Sequence, residues 1–175
     1  QPDWLELVEI PDDYRGTYKR GDPRCGEKFA SQIDQAVESL KSKNQKLCAF
    51  IAETFPSVGG QIITPKGYLN EVYKLIRKQG GLCIADEVQT GLGRLGDHYF
   101  GFEYQKVCPD IVVLGKPIGN GHPIGVVATT EKIAKSFDNG IEFFSTFGGS
   151  TLSCAIAKEV IDIVDQESLQ SNAKK

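Results

Sequence analysis

The sequence predicts an α/β fold with a mostly parallel sheet flanked by helices, and three observations predict it. Apolar runs of strand length occur at 47–53 (LCAFIAE), 82–87 (LCIADE) and 110–115 (DIVVLG). Stretches with apolar residues at helical spacing precede or separate them. The two kinds of segment alternate without an internal repeat, the pattern of strands joined by helical crossovers rather than of hairpins.

In chain order, residues 1–26 read as irregular, with turn chemistry at Pro11-Asp12-Asp13-Tyr14-Arg15-Gly16 and a break at Asp22-Pro23. Over 27–43, Phe29, Ile33, Ala36, Val37 and Leu40 recur on one helical face, which predicts one amphipathic helix. The apolar run 47–53 is a strand ending in Glu53, followed by a loop with Gly59-Gly60. Pro65 precedes a helix over 66–79 whose apolar face is Tyr68, Leu69, Val72, Leu75 and Ile76, and Gly80-Gly81 ends it. The 82–87 strand leads into an aromatic loop holding His98, Tyr99, Phe100, Phe102 and Tyr104. Residues 110–115 and 125–129 read as strands and 130–137 as a short helix. A glycine-rich aromatic loop at 140–150 then precedes a helix that opens at 152–164 and runs to about 169.

The chain has 175 residues, 40% hydrophobic and 25% charged, enough for one domain with a sizeable core. A net charge of −3 and the lack of any Lys/Arg block give no reason to expect nucleic acid or an anionic membrane. No apolar run approaches the roughly 18 residues needed to span a bilayer. The start, QPDWLELVEI, is acidic and mixed rather than a signal peptide. The cysteines at 25, 48, 83, 108 and 154 are odd in number and form no CxxC pair, so they read as reduced, mostly buried thiols of a cytoplasmic protein without a metal site. A chain with no methionine reads as a piece of a longer protein.

Two strand ends carry the chemistry. The run Leu82-Cys83-Ile84-Ala85 stops at Asp86 and Glu87, and thirty residues after Asp86 the run 110–115 stops at Lys116. Open α/β sheets bind ligands at the carboxyl edge of their strands, so neighbouring parallel strands would bring a carboxylate and an amine to one pocket. Pyridoxal phosphate needs that pair, a lysine for the Schiff base and an acid for the pyridine nitrogen. Burial of Lys116 beside Gly119-Asn120-Gly121-His122 would lower its pKa and free the amine to attack an aldehyde. His122 itself reads as a loop histidine satisfied by its neighbours. Gly91-Leu-Gly93-Arg-Leu-Gly96 matches the dinucleotide fingerprint, but several residues separate it from the strand, no amphipathic helix follows, and Asp110 begins its strand instead of ending it. An ATPase reading of Asp86-Glu87 fails because no G-x-x-x-x-G-K-[ST] cradle exists.

Asp86-Glu87-Val88-Gln89-Thr90-Gly91, Pro109-Asp110-Ile111 leading into Gly115-Lys116, and Ser145-Thr146-Phe147-Gly148-Gly149, with Ala52-Glu53 upstream, resemble the class III pyridoxal-phosphate aminotransferases. The resemblance covers essentially all of the chain. It implies that residues 1–175 are the central part of a fold type I PLP-dependent transferase large domain, one partial cofactor-binding domain truncated at both ends. The family's earlier glycine-rich phosphate loop, its ring-stacking aromatic residue and its later small domain lie outside the chain.

The resemblance assigns roles residue by residue. Lys116 would hold pyridoxal 5'-phosphate as a Schiff base and shuttle the proton, while Asp86 would keep the pyridine nitrogen protonated. Val88 would pack on the ring face and Gln89 would hydrogen-bond the phenolic oxygen. Thr146 would reach the phosphate of a neighbouring subunit, which implies a homodimer with shared sites. Glu53 would stand near the cofactor. The implied substrate is a small amine or amino acid that gives its amino group to an oxo acid. Val58 stands where many ω-amino-acid aminotransferases carry a glutamate, which counts against a glutamate-switched 2-oxoglutarate mechanism. Gly59-Gly60-Gln61-Ile62-Ile63, the segment from Gly115 to Pro123 and Ser153-Cys154-Ala155 resemble the phospho-lyases of phosphoethanolamine or phosphohydroxylysine. A third reading, for the chain by itself, is a folded core without catalysis.

Overall fold

The computed structural model describes residues 2–175; Gln1, the first residue of the stretch read as irregular, lies outside them. The chain forms two compact units, Gln1–Ala85 with Phe102–Pro109, and Asp86–Gly101 with Asp110–Lys175.

Among the described residues, the first unit begins with turns and no regular element before α1 (Cys25–Ala30), which is followed directly by α2 (Gln32–Ser42). The single helix expected over 27–43 is therefore two, broken at Ser31. The Ser31 hydroxyl donates to the Lys28 carbonyl at 2.8 Å, a local bond that competes with the helix ladder. The apolar positions nevertheless hold: Phe29, Ile33, Val37 and Leu40 are all buried. β1 (Ala49–Glu53) and β2 (Leu82–Asp86) are joined through α3 (Tyr68–Lys78), and the Leu82 amide donates to the Cys48 carbonyl at 2.9 Å.

α3 buries Tyr68, Leu69, Val72, Tyr73 and Ile76 against α1, α2 and the strands. Full burial of each aliphatic side chain is worth about 1.5–3 kcal/mol, so this face dominates the unit. Its start is later than the sequence predicts. Gly67, at φ +83°, turns the chain into the helix, and no N-cap side chain serves it. The Leu69 amide instead donates to Oε1 of buried Gln105 at 2.9 Å, and the Gln105 amide group donates to Thr64 Oγ1 at 2.6 Å. Gln105 belongs to a 3₁₀ turn, Gly101–Gln105, where the sequence predicts only aromatic loop.

The second unit holds β3 (Ile111–Leu114) and β4 (Val126–Thr129), paired antiparallel with Ile111 opposite Thr129 and Leu114 opposite Val126. α4 (Glu131–Phe137) starts at Thr130, whose side chain accepts from the Ile133 amide at 3.4 Å. α5 (Thr151–Gln166) and α6 (Leu169–Ala173) replace the one helix expected to run to about 169; Ser168, at φ +53°, separates them. Leu92, Ile118 and Ala157 form this unit's small core.

The cysteines are free, but only Cys25 and Cys83 are buried; Cys48, Cys108 and Cys154 are exposed, which corrects the expectation of mostly buried thiols. Apolar neighbours in sequence misled at Cys48, which lies just before β1, and at Cys154, on an exposed position of α5. Among the described residues, no helix is long and apolar enough to cross a membrane.

Burial pushes the Tyr68 phenol up to about 12. The unfolded chain releases that proton near pH 10, whereas the folded chain holds it. Stability should be unaffected by this group below pH 10 and should fall by up to about 2–3 kcal/mol as pH rises to about 12. Urea denaturation between pH 9 and 12 would measure the fall, and Tyr68→Phe should remove most of it.

Candidate active site

β2 sets the site through its period-2 alternation. Cys83 and Ala85 face the interior, Leu82, Ile84 and Asp86 are half-buried, and Glu87 continues the inward series at 0% exposure. The two acids read from the sequence as a pair therefore part ways. Asp86 stays at the open edge, and Glu87 is turned into the protein.

Asp86 is held by its own turn: its Oδ1 accepts from the Val88 amide at 2.9 Å, an Asx turn that fixes the carboxylate. This is the one hydrogen bond its side chain makes among the described residues. Glu87 does the structural work of the loop. Its Oε2 accepts from Thr90 Oγ1 at 2.7 Å and from the Gly101 amide at 2.8 Å, which pins both ends of the segment 87–101. Its own amide donates to the Val113 carbonyl at 2.9 Å, which ties the loop to β3.

Lys116 opens the short 3₁₀ turn Lys116–Ile118 after β3 and adopts φ +26°, a conformation few non-glycine residues take. Pro117 follows it. The Lys116 side chain is exposed and makes no ion pair among the described residues, so the structure does not desolvate it as the sequence led us to expect. Gly115 is extended and buried; a Cβ added there would lie 3.2 Å from Val88 Cγ1. At Gly91, a Cβ would lie 3.1 Å from both Leu114 Cδ2 and the Glu87 carbonyl oxygen. The loop after Asp86 thus packs on the end of β3, with Val88 against the residue that precedes Lys116.

Asp86, Val88, Gln89 and Lys116 all belong to the second unit, on segments in direct contact. Gln89 is half-buried beside them. Thr146 is in the same unit but on the exposed segment 141–149, where Phe143, Phe144 and Phe147 are 73%, 82% and 86% exposed. Its side chain makes no hydrogen bond among the described residues. Glu53 belongs to the first unit, where its Oε2 accepts from the Ser57 amide at 3.1 Å and from Ser57 Oγ at 3.0 Å. Val58, in that loop, is 88% exposed. His122 is satisfied as expected, 2.9 Å from Ser153 Oγ.

The donor set suits pyridoxal phosphate. It offers an unpaired amine, a carboxylate whose Oδ2 is uncommitted, an apolar branched side chain and an amide, with glycines where a Cβ would be crowded. Among the described residues no group of His, Cys, Asp and Glu could hold a metal ion.

Residues 7–175 match the family Aminotransferase class-III. The chain belongs to that family. It is 45% identical to the alanine–glyoxylate aminotransferase 2-like protein of Drosophila melanogaster over 99% of its length, and 44% identical to the mitochondrial alanine–glyoxylate aminotransferase 2 of Homo sapiens over 87%. It spans 36% and 30% of those two relatives. Among solved structures, a phospholyase from Arthrobacter in complex with phosphoethanolamine superposes with a TM-score of 0.86 at 36% identity, over 95% of this chain and 39% of that one. An amine transaminase from an uncultivated Pseudomonas species, solved in its PLP-bound form, gives 0.84 at 32% identity over 95% of this chain and 38% of that one. The family fold is that of the fold type I PLP-dependent transaminases, α/β with a mostly parallel sheet flanked by helices. Its cofactor is pyridoxal phosphate.

Sequence reasoning missed Glu87 and the residues it holds. The signal was present, since alternation through Cys83 and Ala85 carries the next inward position to Glu87. Replacing Glu87 with alanine strands the Gly101 amide and the Thr90 hydroxyl without this acceptor, which should cost about 2–4 kcal/mol of folding stability. Glu87→Gln keeps one acceptor and should cost less, roughly 1 kcal/mol. Urea denaturation of the three proteins checks the order.

Proposed function

We propose that the protein of which this chain forms part is a PLP-dependent aminotransferase of class III, transferring an amino group from a small amine or amino acid to an oxo acid. The observation that carries this reading is the contact between the Asp86 loop and the end of β3, within a chain of that family. When bound, pyridoxal phosphate supplies an aldehyde that captures amines and a ring that accepts electrons.

The side chains then have separate tasks. Lys116 would hold the cofactor through its aldehyde and would move the proton at the substrate's Cα. Its exposed position gives that amine the freedom to leave and return. Asp86 holds a proton on the pyridine nitrogen through a charge-assisted hydrogen bond, and the Val88 amide keeps the carboxylate aimed. Val88 would pack on the ring, and Gln89 would donate to the phenolic oxygen. Glu53 acts at one remove, by ordering the Ser57 loop.

Thr146 contributes to a phosphate site in a second copy of the chain, so the enzyme is a homodimer with shared sites. Four aromatic side chains around it, Phe137, Phe143, Phe144 and Phe147, are at least 67% exposed, which suits an interface. We place the protein in a reducing, cytoplasmic setting on its five free thiols, with no nucleic-acid or membrane partner. The described chain, by itself, is a folded core without catalysis.

A second reading has its own support in the Arthrobacter phospholyase and in the Gly115 to Pro123 segment. Proton removal by Lys116 is common to both. In the lyase the electron pair left at Cα expels phosphate from the adjacent carbon, so no amino acceptor is needed.

Borohydride reduction of the PLP-treated full-length protein, followed by peptide mass spectrometry, should place the pyridoxyl group on Lys116; a different lysine would overturn the assignment. Supplying phosphoethanolamine without an oxo acid separates the chemistries. Phosphate release establishes the lyase, whereas no release together with transamination of an added acceptor establishes the transferase.

A further inference from the structure

The glycines that imitate a dinucleotide fingerprint have a use of their own in the second unit. Gly93 and Gly96 sit at φ +78° and +74°, where a side chain is strained. A Cβ on Gly93 would lie 2.9 Å from Gln170 Cβ, and one on Gly96 would lie 2.7 Å from Lys174 Cα. Both faults point the same way, toward α6 and the residue that follows it. The Lys174 ammonium completes the contact with Asp97 Oδ1 at 2.5 Å. Ser168, the hinge before α6, takes the left-handed conformation that non-glycine residues hold only when their surroundings impose it.

We propose that α6 is a positioning element for the cofactor acid: its seating on the Gly93–Gly96 turn holds the loop that carries Asp86, Val88 and Gln89. The inference rests on the PLP reading for its functional consequence, but not for its physical content. That loop is closed on itself by the Glu87 bonds to Thr90 and Gly101, by the Gly91 amide to the Glu87 carbonyl at 3.0 Å and by the Gly93 amide to the Tyr99 carbonyl at 2.9 Å. A closed loop passes a displacement of its tip back to its base. α6 also overlies a cavity of ≈ 240 Å³ lined by Leu92, Arg94, Pro117, Asn120, Leu169 and Ala173, so it borders the Lys116 turn as well. Unseated, it would release both segments.

The first test is amide hydrogen exchange on the cofactor-free protein. Gly96→Ala brings both strain and collision, whereas Gly96→Asn tolerates the left-handed backbone and keeps the collision. Both should unseat α6 and raise exchange several-fold at 86–91 as well as at 169–175. Asn behaving like glycine, or exchange rising at 93–97 and 169–175 with 86–91 unchanged, would overturn the proposal. Lys174→Asp sets two carboxylates face to face without touching the glycines. It should raise exchange at 86–91, and Asp97→Lys with Lys174→Asp should restore it; failure of the double variant to recover counts against the seat. On the full-length protein, spectroscopic titration with pyridoxal phosphate should then show about tenfold weaker binding in Gly96→Asn, with recovery in the charge-swapped pair tracking exchange. Altered exchange without altered PLP affinity would leave the loop coupling standing and remove its link to the cofactor.

Discussion

A carboxylate taken out of water is tolerated only when hydrogen bonds replace its hydration, and Glu87 meets that condition by organising everything around it. Its oxygen gathers the Thr90 hydroxyl and the Gly101 amide, residues that would otherwise be two unrelated points on a glycine-rich loop. Because Glu87 is drawn inward, the preceding residue on the strand must point the other way. Asp86 is placed at the sheet edge by alternation, and its orientation there is locked by the Val88 amide. One buried acid thus presents the other.

The same packing explains why the loop is so rich in glycine. Gly91 and Gly115 stand where Leu114 and Val88 approach to within about 3 Å of a notional Cβ, and Gly93 and Gly96 stand under α6. Each of these glycines makes room for another part of the chain itself. Their spacing resembles a nucleotide motif because both solve one problem, close approach of backbone to something bulky. The sheet context, read from the sequence, is what tells the two apart.

Much of this was legible beforehand. The strands at 49–53, 82–86 and 111–114 were visible as apolar runs, because their neighbours in sequence are polar or glycine and the contrast is sharp. The face of α3 was equally plain from its spacing. What the sequence concealed was long-range polar pairing. Gln105 capping α3 from 36 residues away leaves no local trace, so the helix start was placed too early. Ser31 breaks a continuous apolar stripe through one hydroxyl, a choice that periodicity does not register. The antiparallel direction of β4 was hidden too, since pairing direction is set by the connection and not by composition.

Lys116 is placed by its backbone and not by burial of its side chain. A lysine read as catalytic was expected to be desolvated, yet it is exposed and held in a left-handed backbone conformation between extended Gly115 and Pro117. Backbone strain of this kind costs about 1–3 kcal/mol and persists only where the surroundings enforce it. Here Val88 presses on Gly115 from one side, and Ile118, buried in the small core, anchors the turn on the other. The backbone is fixed while the side chain stays exposed. In this unit, therefore, the Asp86 loop and the Lys116 turn are set less by the burial of either side chain than by two backbone turns braced against each other. A change that loosens Val88 would disturb both.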